Sequence, residues 1–202
     1  MRRRNAWSFA EFLTSQQMNY PRPLYYSLMN LVSSHDVDRI RTALASDVNL
    51  HDVPREELAE MEFDEERLEK AIELEKLAAV VQFTVPGVPC IYYGDEQGMT
   101  GPCDPLNRAP FREAESQELY EFYSELAAKR SSCEALMSGE VKFMAVSDDI
   151  LAILRYLPGS SAVCAVINRG EKAAKYALNF SREGFGRVRG KIDAQSAAII
   201  DL

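Results

Sequence analysis

The spacing of apolar residues changes period along this chain, and the changes outline its elements. Trp7, Ala10 and Leu13, with Phe9 and Phe12 beside them, recur at helical spacing and predict a helix over residues 6–18. Tyr20-Pro21-Arg22-Pro23 ends it, because proline lacks an N–H donor and disfavours helix in the residue before it. An apolar run at 28–32 reads as a short buried strand, with 33–39 as its exit loop. A helix is expected to begin in 37–45, followed by an acidic excursion with Pro54 up to Asp64. The strongest helical signal lies in 65–82, where Leu68, Ala71, Ile72, Leu74, Ala78 and Val81 make one wide apolar face and Asp64 offers an N-cap. Pro86-Gly87 stops that helix. Residues 88–93 form a second apolar strand, a Gly-, Pro- and Asp-rich loop runs to Pro110, and Leu119, Phe122, Tyr123 and Leu126 mark a further helix over 116–130.

Strand, helix, strand, helix reads as parallel βα units. After Gly139 the texture changes. β-rich runs at 141–146, 150–156, 162–168 and 175–180 are separated by Asp148-Asp149, Pro158-Gly159 and Arg169-Gly170, and 185–188 and 198–202 could add two strands. The expected architecture is α/β followed by all-β: the last two βα units of a (β/α)8 TIM barrel in residues 1–138, then a small antiparallel β-sandwich in 139–202.

Composition narrows the function more than the fold. At 47% hydrophobic and 27% charged, the 202 residues can bury a core. A net charge of −8 argues against nucleic acid or an anionic membrane surface as partner and leaves a neutral ligand such as a sugar open. Cys90, Cys103, Cys133 and Cys164 lack metal or redox spacing and read as reduced thiols, although a Cys90–Cys103 disulfide stays open. Two histidines without paired thiols make a zinc site improbable. No apolar run is long enough for a membrane span, and Arg2-Arg3-Arg4 is not followed by a signal-peptide core, so a cytoplasmic location is expected.

Two segments carry candidate chemistry. In each, an apolar strand-length run stops in a cluster of charged and hydroxyl-bearing side chains, the way a parallel barrel presents its working groups. One is Leu31-Val32-Ser33-Ser34-His35-Asp36-Val37-Asp38-Arg39. The other is Gly87-Val88-Pro89-Cys90-Ile91-Tyr92-Tyr93-Gly94-Asp95-Glu96-Gln97-Gly98, followed by Asp104-Pro105-Leu106-Asn107-Arg108. Together they resemble the α-amylase superfamily of glycoside hydrolases, nearest its neopullulanase and cyclomaltodextrinase branch. The resemblance implies that Asp36 is the third catalytic carboxylate, which grips sugar hydroxyls beside the scissile bond and is not the nucleophile. It implies that His35 donates to the same sugar, that Asp104 and Arg108 hold the next one, and that Arg39 and Glu96 support the site.

Plainer readings compete. His35 and Asp36 could be a self-satisfied pair, Asp104 and Arg108 a surface ion pair, and Asp95 and Glu96 acceptors for backbone amides. Tyr92 and Tyr93 are more often core than ligand platform, the Glu56-to-Glu75 charges read as a solvated helix face, and His51 reads as a surface residue without a partner.

The family's nucleophile and general acid lie on barrel strands upstream of the His-Asp loop, and no matching residues precede His35. A whole barrel needs ~250 residues. The chain is therefore expected to be a C-terminal portion of an α-glucan hydrolase, inactive alone, or alternatively a non-catalytic α-glucan-binding or assembly module. Its ligand would be an α-glucan or maltooligosaccharide. No cofactor is called for, calcium in the rest of the barrel being left open. Unpaired strand edges predict self-association or a partner chain carrying the remaining barrel.

Overall fold

The computed structural model describes residues 5–113 and 116–202. In chain order its helices are α1 (Ala6–Asn19), α2 (Arg22–Tyr25), α3 (Ile40–Ala45), α4 (Arg55–Glu60), α5 (Glu65–Thr84), α6 (Gln117–Ser132) and α7 (Glu134–Ser138). Its strands are β1 (Met29–Asn30), β2 (Val88–Pro89), β3 (Glu140–Ala145), β4 (Ile150–Leu157), β5 (Ser161–Asn168), β6 (Ala174–Asn179), β7 (Arg187–Ile192) and β8 (Ser196–Asp201). Two compact units result. One comprises Leu31–Ala79 and Cys90–Glu125; the other comprises residues 5–30, Val80–Pro89 and Leu126–Leu202.

In the second unit, β1 and β2 pair in parallel, Met29 opposite Val88 and Asn30 opposite Pro89. The ladder is two residues long, where the apolar runs predicted five or six. Pro89 has no N–H to continue it. Side chains take over instead: the Asn30 amide donates to Pro86 O at 2.9 Å, and the Gln82 amide donates to Asn30 O at 2.8 Å. Met29 and Val88 stay more than half exposed, against the expectation of buried strands. Gly87, at φ +105°, makes the turn possible, since a Cβ there would stand 2.5 Å from Leu28 O.

α5 starts where Asp64 was expected to cap it; the Asp64 carboxylate accepts from the Glu66 N–H at 2.8 Å. Its far end is closed by two buried arginines. Arg130 donates to Phe83 O at 2.6 Å and Gly87 O at 2.5 Å, and Arg155 donates to Thr84 O at 2.9 Å and Gly139 O at 3.0 Å. Cations suit the carbonyl-rich end of a helix. Burial nevertheless lowers the pKa of both, that of Arg155 to about 10.

The β-rich tail forms one antiparallel sheet, ordered β3-β4-β5-β8, and an antiparallel β6-β7 pair. Alternate residues of β4 and β5 (Ile150, Ala152, Leu154; Ala162, Cys164, Val166) share a core with Tyr176, Leu178, Phe180 and Ile192. Successive side chains of a strand point to opposite faces, so every second residue meets this core. The opposite-facing Leu151 and Ile153 are buried as well, with α1 and α7 packed against the same strands. β7 begins two residues later than the pattern indicated. All four cysteines are free, and burial pushes the Cys164 thiol up to about 12.

In the first unit, α3 begins at Ile40, three residues later than read, because 34–37 form a turn held by a Val37 N–H to Ser34 O bond. Glu75 is not on a solvated face: it is fully buried, and the Tyr123 hydroxyl lies 3.3 Å from one carboxylate oxygen. His51 has a partner, its Nε2 lying 3.7 Å from Asp38. Among the described residues no helix is long and apolar enough to cross a membrane.

Candidate functional site

The first motif segment, and the second from Cys90 onward, fall in the first unit, and buried polar bonds join them. The Ser33 hydroxyl accepts from the Ile40 N–H at 2.8 Å, which closes the exit loop onto the first turn of α3. Arg39 follows the loop and is completely buried. Its Nε donates to Asn107 O at 3.0 Å; its Nη1 donates to Tyr93 O at 2.7 Å and to the Asp95 carboxylate at 3.2 Å. The guanidinium carbon stands 4.6 Å from the Tyr92 ring centre and 4.8 Å from that of Tyr93, within cation–π range. A lysine could not replace this planar fork. Asp95 is pushed up to about 6, because burial outweighs the Ser33 hydroxyl and the Arg39 charge that favour its ionised form.

A second connection runs through Gly101. Its N–H donates to the Thr42 hydroxyl at 2.7 Å, and its carbonyl accepts from the Arg39 N–H at 3.0 Å. A Cβ at Gly101 would stand 2.6 Å from Leu106 O, so only glycine permits this approach.

On this frame the exposed candidates come together. His35 Nε2 and Asp36 Oδ2 are 3.3 Å apart, with both side chains about two-thirds or more exposed at 65% and 73%. The Asp36 N–H donates to the Ser34 hydroxyl at 3.1 Å. Arg108 Nε donates to Asp104 Oδ1 at 3.0 Å and to the carbonyl of His35 at 3.3 Å. The four sugar-binding candidates thus form one surface cluster. Exposed pairs of this kind contribute only about 0–1 kcal/mol to stability. Their carboxylates can accept from hydroxyls, and their guanidinium can donate to them.

Arg39 and Glu96 do not join the exposed cluster. Arg39 lies beneath it, and Glu96 accepts from the Gly94 N–H at 2.9 Å. Asn107, Thr42 and Gly101 were not singled out from the sequence. Asn107 offered a signal, as an amide immediately before the arginine of a charged loop.

Residues 6–135 match the alpha amylase catalytic domain. The chain belongs to the α-amylase family.

Among curated relatives, this α-amylase-family chain is 32% identical over 184 residues to a cyclomaltodextrinase of Geobacillus thermopakistaniensis, covering 89% of this chain and 27% of that protein. It is 31% identical over 173 residues to neopullulanase 2 of Thermoactinomyces vulgaris, covering 83% of this chain and 26% of that one. It therefore spans about a quarter of the length of these relatives. Among solved structures, the ligand-free cyclic α-maltosyl-(1→6)-maltose hydrolase of Arthrobacter globiformis superposes with a TM-score of 0.77 at 22% identity, over 98% of this chain and 39% of that one. At that identity the likeness is one of fold.

Proposed function

We propose that this chain is the C-terminal portion of a retaining α-glucan hydrolase acting on α-1,4-glucosidic bonds. In this reading, residues 1–138 belong to the catalytic barrel and 139–202 form its terminal sandwich. The observation that carries it is Arg108, whose one nitrogen contacts both Asp104 and the carbonyl of His35, so that the two motif segments share one exposed surface. Asp36 and His35 would grip the hydroxyls of the sugar at the scissile bond, and bonds that strengthen as that sugar distorts lower the barrier. Asp104 and Arg108 would hold the neighbouring sugar, with Arg39 and Glu96 fixing the loops. Relatives named cyclomaltodextrinase and neopullulanase support a glucan ligand, as do solved structures of similar fold in complex with maltose and with cyclic α-maltosyl-(1→6)-maltose.

Retention requires a nucleophile and a general acid about 5 Å apart. Neither Asp36 nor Asp104 has those roles in this reading, so the chain alone does not turn over. The exposed apolar Met29 and Val88 beside the short β1-β2 ladder support cover by further barrel strands or by a second copy.

The test is direct. The purified chain is incubated with a chromogenic maltooligosaccharide and titrated calorimetrically with maltoheptaose. Binding without turnover supports the proposal, and turnover at an intact-amylase rate overturns it. The alternative of a dedicated glucan-binding module is separated by adding the missing barrel segment in trans: restored hydrolysis favours the enzyme portion, and unchanged binding alone favours the module.

A further inference from the structure

We infer that Asn107 is the positioning residue that locks the two sugar-contacting loops into one register; the inference rests on the glucan reading above. Its side-chain amide lies 3.1 Å from Ser34 O, 3.1 Å from His35 O and 2.7 Å from Val37 O. One NH2 group therefore serves three consecutive-loop carbonyls with two hydrogens, sharing at least one of them. These carbonyls flank His35 and Asp36 on both sides. The backbone carbonyl of the same residue accepts from Arg39 Nε at 3.0 Å and from the Tyr92 hydroxyl at 3.4 Å. Asn107 is completely buried, although it occupies a single helical turn (Leu106–Arg108) between the exposed Asp104 and Arg108.

The consequence is geometric. Asp104 and Arg108 ride on one loop; His35 and Asp36 ride on the other. The bonds that join the backbone at 34–37 directly to the turn at 104–108 are the Arg108 contact to the His35 carbonyl and the three from Asn107; the Arg39 and Gly101 bonds fasten the same two loops farther from the exposed cluster. Two adjacent sugars can be held at once only while that spacing is fixed. A displacement of about 1 Å in such a clamp can cost on the order of 100-fold. Aspartate keeps the shape of asparagine but turns both donors into acceptors facing three carbonyls, so Asn107→Asp reverses the interaction without emptying the site.

The experiment compares the whole chain with Asn107→Asp at a temperature where circular dichroism shows both folded. Maltoheptaose affinity is read by calorimetry, and backbone amide exchange is read across 33–39 and across 150–168. The expected result is at least a tenfold loss of affinity and a tenfold acceleration of exchange confined to 33–39. A purely structural role would instead lower stability and raise exchange throughout, with affinity unchanged in the folded fraction. An Asn107→Asp protein that binds within twofold of the parent and exchanges as slowly in 33–39 overturns the inference while leaving the glucan reading intact. If the parent binds no maltoheptaose, the glucan reading fails, and accelerated exchange in 33–39 alone still upholds the lock. Should Asn107→Asp not fold, Asn107→Ser, which retains one donor, is expected to show the same two effects in weaker form; parent-like behaviour there overturns the lock.

Discussion

Glu75 offers the sharpest quantitative test, since a carboxyl group buried without a cation bonded to it should be worth more to the protein as an amide. It sits in α5, fully buried, with the Tyr123 hydroxyl at one oxygen and no hydrogen-bond partner for the other among the described residues. Burial is the main cause of its pKa rising to about 8, and the Asp95 charge adds to the effect while Arg41 and the Tyr123 bond oppose it. In the unfolded chain the ordinary value near 4.5 returns. The folded state therefore holds a proton that the unfolded state releases. The stability tied to this group is complete below pH 4.5 and is lost as the pH rises through 8. Each unit of difference is worth 1.36 kcal/mol, so at pH 7 the cost is 1.36 × 2.5, about 3 kcal/mol. Glu75→Gln removes that cost and keeps an oxygen for Tyr123. Urea midpoints of parent and variant at pH 5, 6, 7 and 8 measure it. The two proteins should agree within about 1 kcal/mol at pH 5, and the variant should gain steadily, to an advantage of about 3 kcal/mol at pH 7 and about 4 kcal/mol at pH 8. A variant less stable than the parent at pH 8, or a difference that does not vary with pH, would refute the reasoning.

Three further outcomes are expected. Arg39→Lys, which keeps the charge but loses the fork to Asn107 O, Tyr93 O and Asp95, should cost about 3 kcal/mol in urea unfolding; an unchanged midpoint would contradict the hub described for it. The double variant Asp104→Ala, Arg108→Ala removes exposed groups, so its melting temperature should stay within about 2 °C of the parent while calorimetric binding of maltoheptaose disappears. Cys164, buried and held as a thiol, should be the last of the four cysteines to react with a disulfide reagent at pH 8, and only as fast as the sandwich opens.

Much of this was legible in the residues. β-rich runs bounded by turn residues located four of the six tail strands to within one residue at either end, because both composition and turn punctuation are local signals. Asp64 was readable as a cap, since capping is a contact within one turn. The two motifs could be assigned to one surface only through resemblance; their approach depends on Arg39, Gly101 and Asn107, whose partners lie far away in sequence. Glu75 shows the opposite failure. On a helix of alternating charges it has the same local pattern as its solvated neighbours, and the Tyr123 hydroxyl that meets it in the interior is 48 positions later. The parallel strands were overestimated because an apolar run reports burial, whereas a ladder also needs donors, and Pro89 has none.

The two arginines at the end of α5 carry one last consequence. Among the described residues they grip peptide oxygens, not acidic side chains: Phe83, Thr84, Gly87 and Gly139 are bound as dipoles. Molar salt, which weakens exposed contacts such as Lys129 with Asp201, should leave this buckle fastened. Mild acid should spare it too, there being no carboxylate in it to neutralise. The bend from α5 into Gly87 and β2 is thus shielded from the two solvent variables to which a net charge of −8 exposes the rest of the surface.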